Sequence, residues 1–254
     1  DTYADGGWDA VKQDAEEKAD LLLSLGINVN LAPVCDMTSD EYGFMYDRSF
    51  SSDVDMENRY VRTVVETSKS KKLGTVLKHF PGYGNNSDTH TGIAYDDRDY
   101  SEFENTDFKP FYQGIESGAD CILVSHNIVN CMDSEYPASL SQKVHDILRN
   151  EFKFDGVIMT DDLIMDAITD FTGDEAAAVT AAKCGNDLLC CSSVDTQYPA
   201  VLEAVQNGEI PEAQVDASVK RILKWKQNLG IFSIDTYQKK VKSTEPTDTV
   251  GSEE

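Results

Sequence analysis

Short runs of apolar residues alternate along the chain with longer stretches in which apolar residues recur every three or four positions. Five runs have the length and composition of strands: residues 27–36 (INVNLAPVCD), 74–79 (GTVLKH), 121–126 (CILVSH), 156–161 (GVIMTD) and 186–191 (NDLLCC). Several are nearly continuous in Val, Ile and Leu, the pattern of parallel strands covered on both faces. Amphipathic helices separate them. Trp8, Val11, Ala15, Ala19 and Leu22 mark one apolar stripe, and Val54, Tyr60, Val61, Val64 and Val65 mark a second. A third uses Val215, Val219, Ile222 and Leu223, with Gly230 where a helix C-cap belongs. Such alternation predicts right-handed βαβ crossovers.

A (β/α) barrel and an open doubly wound sheet both satisfy that alternation, and the polar residues help decide between them. Each strand run ends in groups that chemistry can use: Asp36; Lys78 and His79; Ser125 and His126; Asp161 and Asp162. Barrels gather functional residues from the C-terminal ends of several strands at one face, whereas an open sheet concentrates them at a switch point. The expected fold class is therefore α/β, a TIM-type (β/α) barrel. With no internal linker, residues 1–235 form one domain, and the polar, aperiodic residues 236–254 read as a disordered or loosely attached tail.

Composition narrows the function classes. Of 254 residues, 46 are acidic and 22 basic, a formal net charge of −24 that disfavours nucleic-acid binding and anionic lipid surfaces. No apolar run approaches the ~20 residues of a membrane helix. The chain does not begin with Met, and its first five residues have neither the basic start nor the apolar stretch of a secretory signal. The six cysteines show no C-x-x-C, and Cys35, Cys121, Cys190 and Cys191 lie in apolar runs as reduced core thiols would.

Two segments carry candidate chemistry. The first runs from Lys78-His79-Phe80-Pro81 through Gly82 and Gly84 to Asp88-Thr89-His90. It leaves a strand, breaks at proline, and passes two glycines that permit sharp, mobile backbone, as in a lid. A carboxylate two residues from an imidazole can orient the ring and stabilise its charged form, and histidine titrates where a proton must be both given and taken. In an arbitrary loop an Asp-x-His pair is more often structural. Zinc is the rival use of His79, Asp88 and His90, but four histidines with no H-E-x-x-H spacing predict no metal site. The second segment ends in Asp161 and Asp162. Only one of two adjacent carboxylates follows the alternation of Val157 and Met159, and that parity selects Asp161 if those two face the barrel interior. Asp162 suits a cap ahead of the next turn.

The pair K-H-F-P-G-Y-G-x-x-x-D-T-H and V-I-M-T-D-D-L closely resembles the β-N-acetylglucosaminidases of glycoside hydrolase family 3. The likeness continues through residues 28–36, Asp47-Arg48-Ser49-Phe50, residues 137–141 and residues 216–223, and so covers about residues 8–232. It implies a retaining exo-glycosidase that releases terminal β-linked N-acetylglucosamine from cell-wall muropeptides or chitin-like sugars. Asp161 would be the nucleophile, and His90, supported by Asp88, the acid/base, in place of the usual second carboxylate. A neutral base leaves phosphate open as an alternative acceptor. Arg48, Lys78 and His79 would surround the sugar hydroxyls, and His126 either lines the pocket or is a buried structural histidine. No metal or organic cofactor is implied.

A family 3 β-glucosidase or β-xylosidase, and a non-catalytic carbohydrate-binding fragment, remain alternatives. The family's complete barrel has two further β/α units ahead of the region matched here, with an Asp-Glu-Gly-Gly-type strand end; Asp5-Gly6-Gly7 only echoes it, before a helix. The chain is thus expected to lack its first two β/α units, to be completed by a missing N-terminal segment or by self-association. A cell-wall substrate favours the cell envelope or exterior, with cytoplasmic wall recycling also open.

Overall fold

Strand runs too continuous to face water must be buried on both sides, and helices do this in the order the sequence predicts. The computed structural model describes residues 2–86, 89 and 92–237. The elements are α1 (Thr2–Ser24), β1 (Val29–Asn30), α2 (Val54–Ser70), β2 (Gly74–Phe80), β3 (Tyr95–Asp96), α3 (Tyr100–Asn105), α4 (Phe108–Ser117), β4 (Cys121–Val124) and β5 (Ile128–Val129). A 3-10 turn (Ala138–Leu140) leads into α5 (Gln142–Asp146) and a π-helical turn (Ile147–Glu151). Then come β6 (Val157–Thr160), α6 (Asp166–Thr172), α7 (Asp174–Lys183), α8 (Val194–Gln206) and α9 (Glu212–Asn228). Among the described residues no helix is long and apolar enough to cross a membrane.

The main sheet is parallel in the order β1-β2-β4-β6, and a parallel bridge between Met159 and Leu188 adds a fifth chain segment. Spatial order follows chain order throughout. A doubly wound sheet would reverse at a switch point, so the winding is that of a barrel wall. A two-stranded parallel ladder of β3 and β5 sits outside it.

Two strand runs are shorter than the sequence predicts. In residues 27–36 only Val29 and Asn30 form a regular ladder, because Pro33 has no N–H to contribute. Pairing continues irregularly, with Val76 N–H on the Ala32 carbonyl (2.9 Å) and Cys35 N–H on the Lys78 carbonyl (2.6 Å). In residues 186–191 the Cys190 N–H donates to the Thr160 hydroxyl (2.9 Å) instead of to a strand carbonyl, which ends the ladder after one bridge.

The two sheet faces pack differently. Leu77, Ile122, Val124 and Ile158 meet α2 through Val61 and Val65, and meet Phe103, Phe108 and Phe111 of α3 and α4. Phe80 is the hub of the aromatic part, with ring centroids 5.6 Å from Phe108, 5.1 Å from Phe111 and 5.4 Å from Phe152. On the other face, Val76, Cys121, Leu123, Val157 and Met159 pack with Trp225 and Leu229 from the end of α9. The predicted stripe of α9 is corrected here. Val219 is exposed, and the packed face runs on through Ile222, Trp225 and Leu229, at helical spacing, to cover the start of β2. Gly74 is the point of closest approach: a Cβ there would lie 3.1 Å from the Trp225 ring. Gly230 follows α9 in the left-handed conformation (φ 76°), as its C-cap role requires.

Replacing the fully buried Phe80 by alanine removes the centre of the aromatic cluster. Denaturant unfolding of Phe80→Ala is expected to show a loss of about 3–5 kcal/mol.

Candidate active site

The C-terminal ends of β1, β2 and β6 converge on a cluster of charged side chains. Asp36, just past the β1 segment, is fully buried and accepts three N–H groups. Its Oδ2 takes the His79 backbone N–H (2.9 Å) and faces His79 Nδ1 (2.7 Å), while its Oδ1 takes the Tyr83 N–H (2.8 Å). On the far side of the ring, His79 Nε2 lies 3.2 Å from Arg48 Nη2. Guanidinium only donates, so Nε2 must accept; the proton therefore sits on Nδ1 and points at Asp36. Arg48, His79 and Asp36 thus form one line of hydrogen bonds, with a neutral imidazole of fixed tautomer in the middle. The peptide bond between Lys78 and His79 is cis.

Arg48 reaches this line from the loop between β1 and α2. Below that loop, Glu57 of α2 is fully buried and its Oε2 accepts the Ser51 N–H (3.0 Å). Burial pushes the Glu57 carboxyl well above the ordinary carboxylate range, and the charge of Asp36 adds to the shift. Lys78, half-buried in β2, is shifted the opposite way. Burial lowers its ammonium below the usual lysine value and Arg48 lowers it further, while Asp161 and Asp36 pull it back.

Asp161 and Asp162 have separate environments. Val157 and Met159 share the sheet face that carries Val76, Cys121 and Leu123, and Asp161 continues that parity next to Lys78 in charge. Its N–H donates to the Val124 carbonyl (3.1 Å), and its Oδ1 accepts the Asp162 N–H (2.9 Å). Asp162 is turned to structural work. Its carboxylate accepts the Ser192 hydroxyl and N–H and the Ile164 N–H (3.3 Å), tying β6 to the segment after Leu188.

His126 is fully buried at the end of β4. Its Nε2 lies 2.9 Å from the Asp162 carbonyl, so it donates there, and its Nδ1 faces the Ser139 hydroxyl at 2.7 Å. Both ring nitrogens therefore have partners within the protein. The structure thus brings Arg48, Lys78, His79 and Asp161 to one end of the sheet and sets His126 behind Asp162. Asp88 and His90 lie outside the described residues. Thr89 between them is buried, with its hydroxyl 2.5 Å from that of Tyr83. Asp36 was legible only as a polar strand end, and Tyr83 and Arg98, which brace the loop from either side, were not singled out. Among the described residues no group of three or more His, Cys, Asp or Glu is placed to hold a metal ion.

The profile of the glycosyl hydrolase family 3 N-terminal domain matches residues 4–225. The chain belongs to glycosyl hydrolase family 3. A β-hexosaminidase of Hydrogenovibrio crunogenus is 33% identical over 199 residues, 76% of this chain and 55% of that protein. The family 3 β-N-acetylglucosaminidase of a Paenibacillus strain superposes with a TM-score of 0.85 at 30% identity, over 89% of this chain and 44% of its own. A fungal multi-domain family 3 β-N-acetylglucosaminidase gives 0.82 at 26% identity, over 94% and 30%. The fold is thus that of the family's N-terminal (β/α)-barrel domain. The chain spans about half the length of the curated relatives it matches.

In this family 3 chain the Asp36 carboxylate joins β1 to the start of the glycine loop. Asp36→Asn would turn an amide N–H₂ toward an N–H donor and remove the charge that holds the other two. A stability loss of about 3 kcal/mol is expected by denaturant titration, since unsatisfied buried donors to a charged group are the costly case.

Proposed function

We propose that this chain carries the catalytic centre of a retaining exo-β-N-acetylglucosaminidase acting on cell-wall muropeptides or chitin-like oligosaccharides. The observation that carries the proposal is the division of labour at the end of β6: Asp162 is tied to Ser192, while Asp161 lies within electrostatic reach of Lys78, which is itself coupled to Arg48. The names of the relatives, β-hexosaminidase and family 3 β-N-acetylglucosaminidase, point to the sugar.

In this reading the Asp161 carboxylate attacks the anomeric carbon as the glycosidic C–O bond breaks, and the leaving oxygen takes a proton from His90. Water then attacks the glycosyl ester and gives its proton to His90, which Asp88 supports. Arg48, Lys78 and His79 bind sugar hydroxyls, where charged donors in a shielded site hold tightly. Burial and the neighbouring Arg48 disfavour the charge of Lys78, while Asp161 and Asp36 favour it.

The test is turnover of p-nitrophenyl β-N-acetylglucosaminide against the corresponding glucoside. The N-acetyl substrate is expected to be preferred, and Asp161→Ala to lose on the order of 10⁴-fold or more in kcat. Preference for the glucoside would assign the chain to the β-glucosidase branch. Binding of N-acetylglucosamine with no turnover of any aryl glycoside would sink the enzymatic reading. Release of sugar 1-phosphate in phosphate buffer would replace hydrolysis by phosphorolysis.

A further inference from the structure

We propose that Arg98 is the positioning residue that fixes the stem of the loop leading to His90, so that proton delivery to the leaving group depends on it. The inference rests on the acid/base role given to His90 above. Arg98 follows β3, with its side chain mostly covered (25% exposed), and its guanidinium is surrounded. Nε donates to both Asp96 oxygens (3.1 Å each) and Nη2 to Asp96 Oδ2 (2.8 Å). Nη1 donates to Asp107 Oδ2 (2.9 Å), and Nη2 also reaches the Gly82 carbonyl (3.2 Å). The Phe103 ring lies beneath, with its centroid 4.2 Å from Cζ. Two buried carboxylates around one cation hold it charged, above the ordinary arginine value despite its burial.

The glycine loop is folded onto this clamp. A Cβ at Gly84 would lie 2.7 Å from Arg98 Nη1, and one at Gly82 would lie 2.4 Å from Asp107 Oδ1. Both glycines have positive φ (121° and 54° for Gly82 and Gly84). Close approach to a charged cluster, and not freedom to swing, is therefore what the two glycines provide at this end of the loop. The remaining fastenings point the same way. Tyr83 N–H is held by Asp36, the Thr38 hydroxyl bonds Asn85 Oδ1 (2.7 Å), and Tyr83 Oη meets the Thr89 hydroxyl. The chain is thus fixed from Gly82 to Asn85 and again at Thr89, one residue before His90. Only a planar fork can serve Asp96, Asp107 and a carbonyl at once; a lysine ammonium is a point donor on a flexible stem.

A cluster that only stabilised the fold would, when weakened, reduce turnover of every substrate alike. A cluster that places the acid would matter most where the leaving group needs a proton. The experiment measures kcat/KM, which reports the steps through glycosyl-enzyme formation, for the intact protein. It uses aryl β-N-acetylglucosaminides whose phenols span pKa values of about 4 to 10. Arg98→Lys is expected to stay within a few-fold of wild type on the most activated substrate and to lose on the order of 10²-fold on the least activated. His90→Ala should show the same steep dependence. Steep dependence for His90→Ala with a uniform loss, or no loss, for Arg98→Lys overturns the positioning role alone. A flat response in His90→Ala overturns the acid/base reading and this inference with it. Thermal melts accompany the kinetics, and if Arg98→Lys does not fold, Asp107→Asn weakens the same clamp while keeping its shape.

Discussion

The site hangs on one buried carboxylate. Asp36 is taken wholly out of water, which for an ion is tolerable only if its oxygens are well partnered, and three N–H groups do this from His79 and Tyr83. Because two of those donors are backbone groups, the carboxylate sets the path of the chain as it leaves β2. Because the third is a ring N–H, it also sets the imidazole tautomer and so turns an acceptor toward Arg48. A single ionised group thereby fixes the orientation of an imidazole, the approach of a guanidinium and the first residues of the glycine loop.

The second constraint is the two-residue period of a strand. Val157 and Met159 pack on the face covered by α9, Ile158 on the face covered by α2 and α4, and the alternation carries past the ladder to Asp161 and Asp162. Two adjacent carboxylates are thereby sent to different surroundings. One meets Ser192 and braces the neighbouring segment; the other lies within electrostatic reach of Lys78. The packing behind them reinforces the separation, since His126 holds the Asp162 carbonyl from below.

Much of this was legible in the sequence because it depends on local periodicity. The alternating apolar runs and stripes predicted a parallel α/β fold, and the polar residues at the strand ends marked the end of the sheet where Asp36, Lys78, His79 and Asp161 come together. What could not be read depends on pairs far apart in the chain. Asp36 and His79 are 43 residues apart, and nothing local says that they meet. Arg98 looks like a loop arginine until Asp107 and Gly82 are seen around it. Trp225 sits on a helix whose predicted stripe of Val215, Val219, Ile222 and Leu223 shares Ile222 with the packed face but leaves out Trp225 and Leu229; the small Gly74 beneath Trp225 marks the docking point. The ladder at residues 186–191 failed for a similar reason, since the Thr160 hydroxyl competes for a strand N–H. The same hidden contacts change the meaning of a motif. The glycines of the loop read as hinges in the sequence and as points of close packing in the fold.

The central claim is that Asp161, not its neighbour, becomes bonded to sugar. Inactivating the protein with a slow 5-fluoro glycosyl fluoride of N-acetylglucosamine and mapping the label by peptide mass spectrometry decides this directly. The account predicts a single glycosyl ester on Asp161. A label on Asp162, or turnover of the reagent with no covalent adduct at any carboxylate, would contradict it.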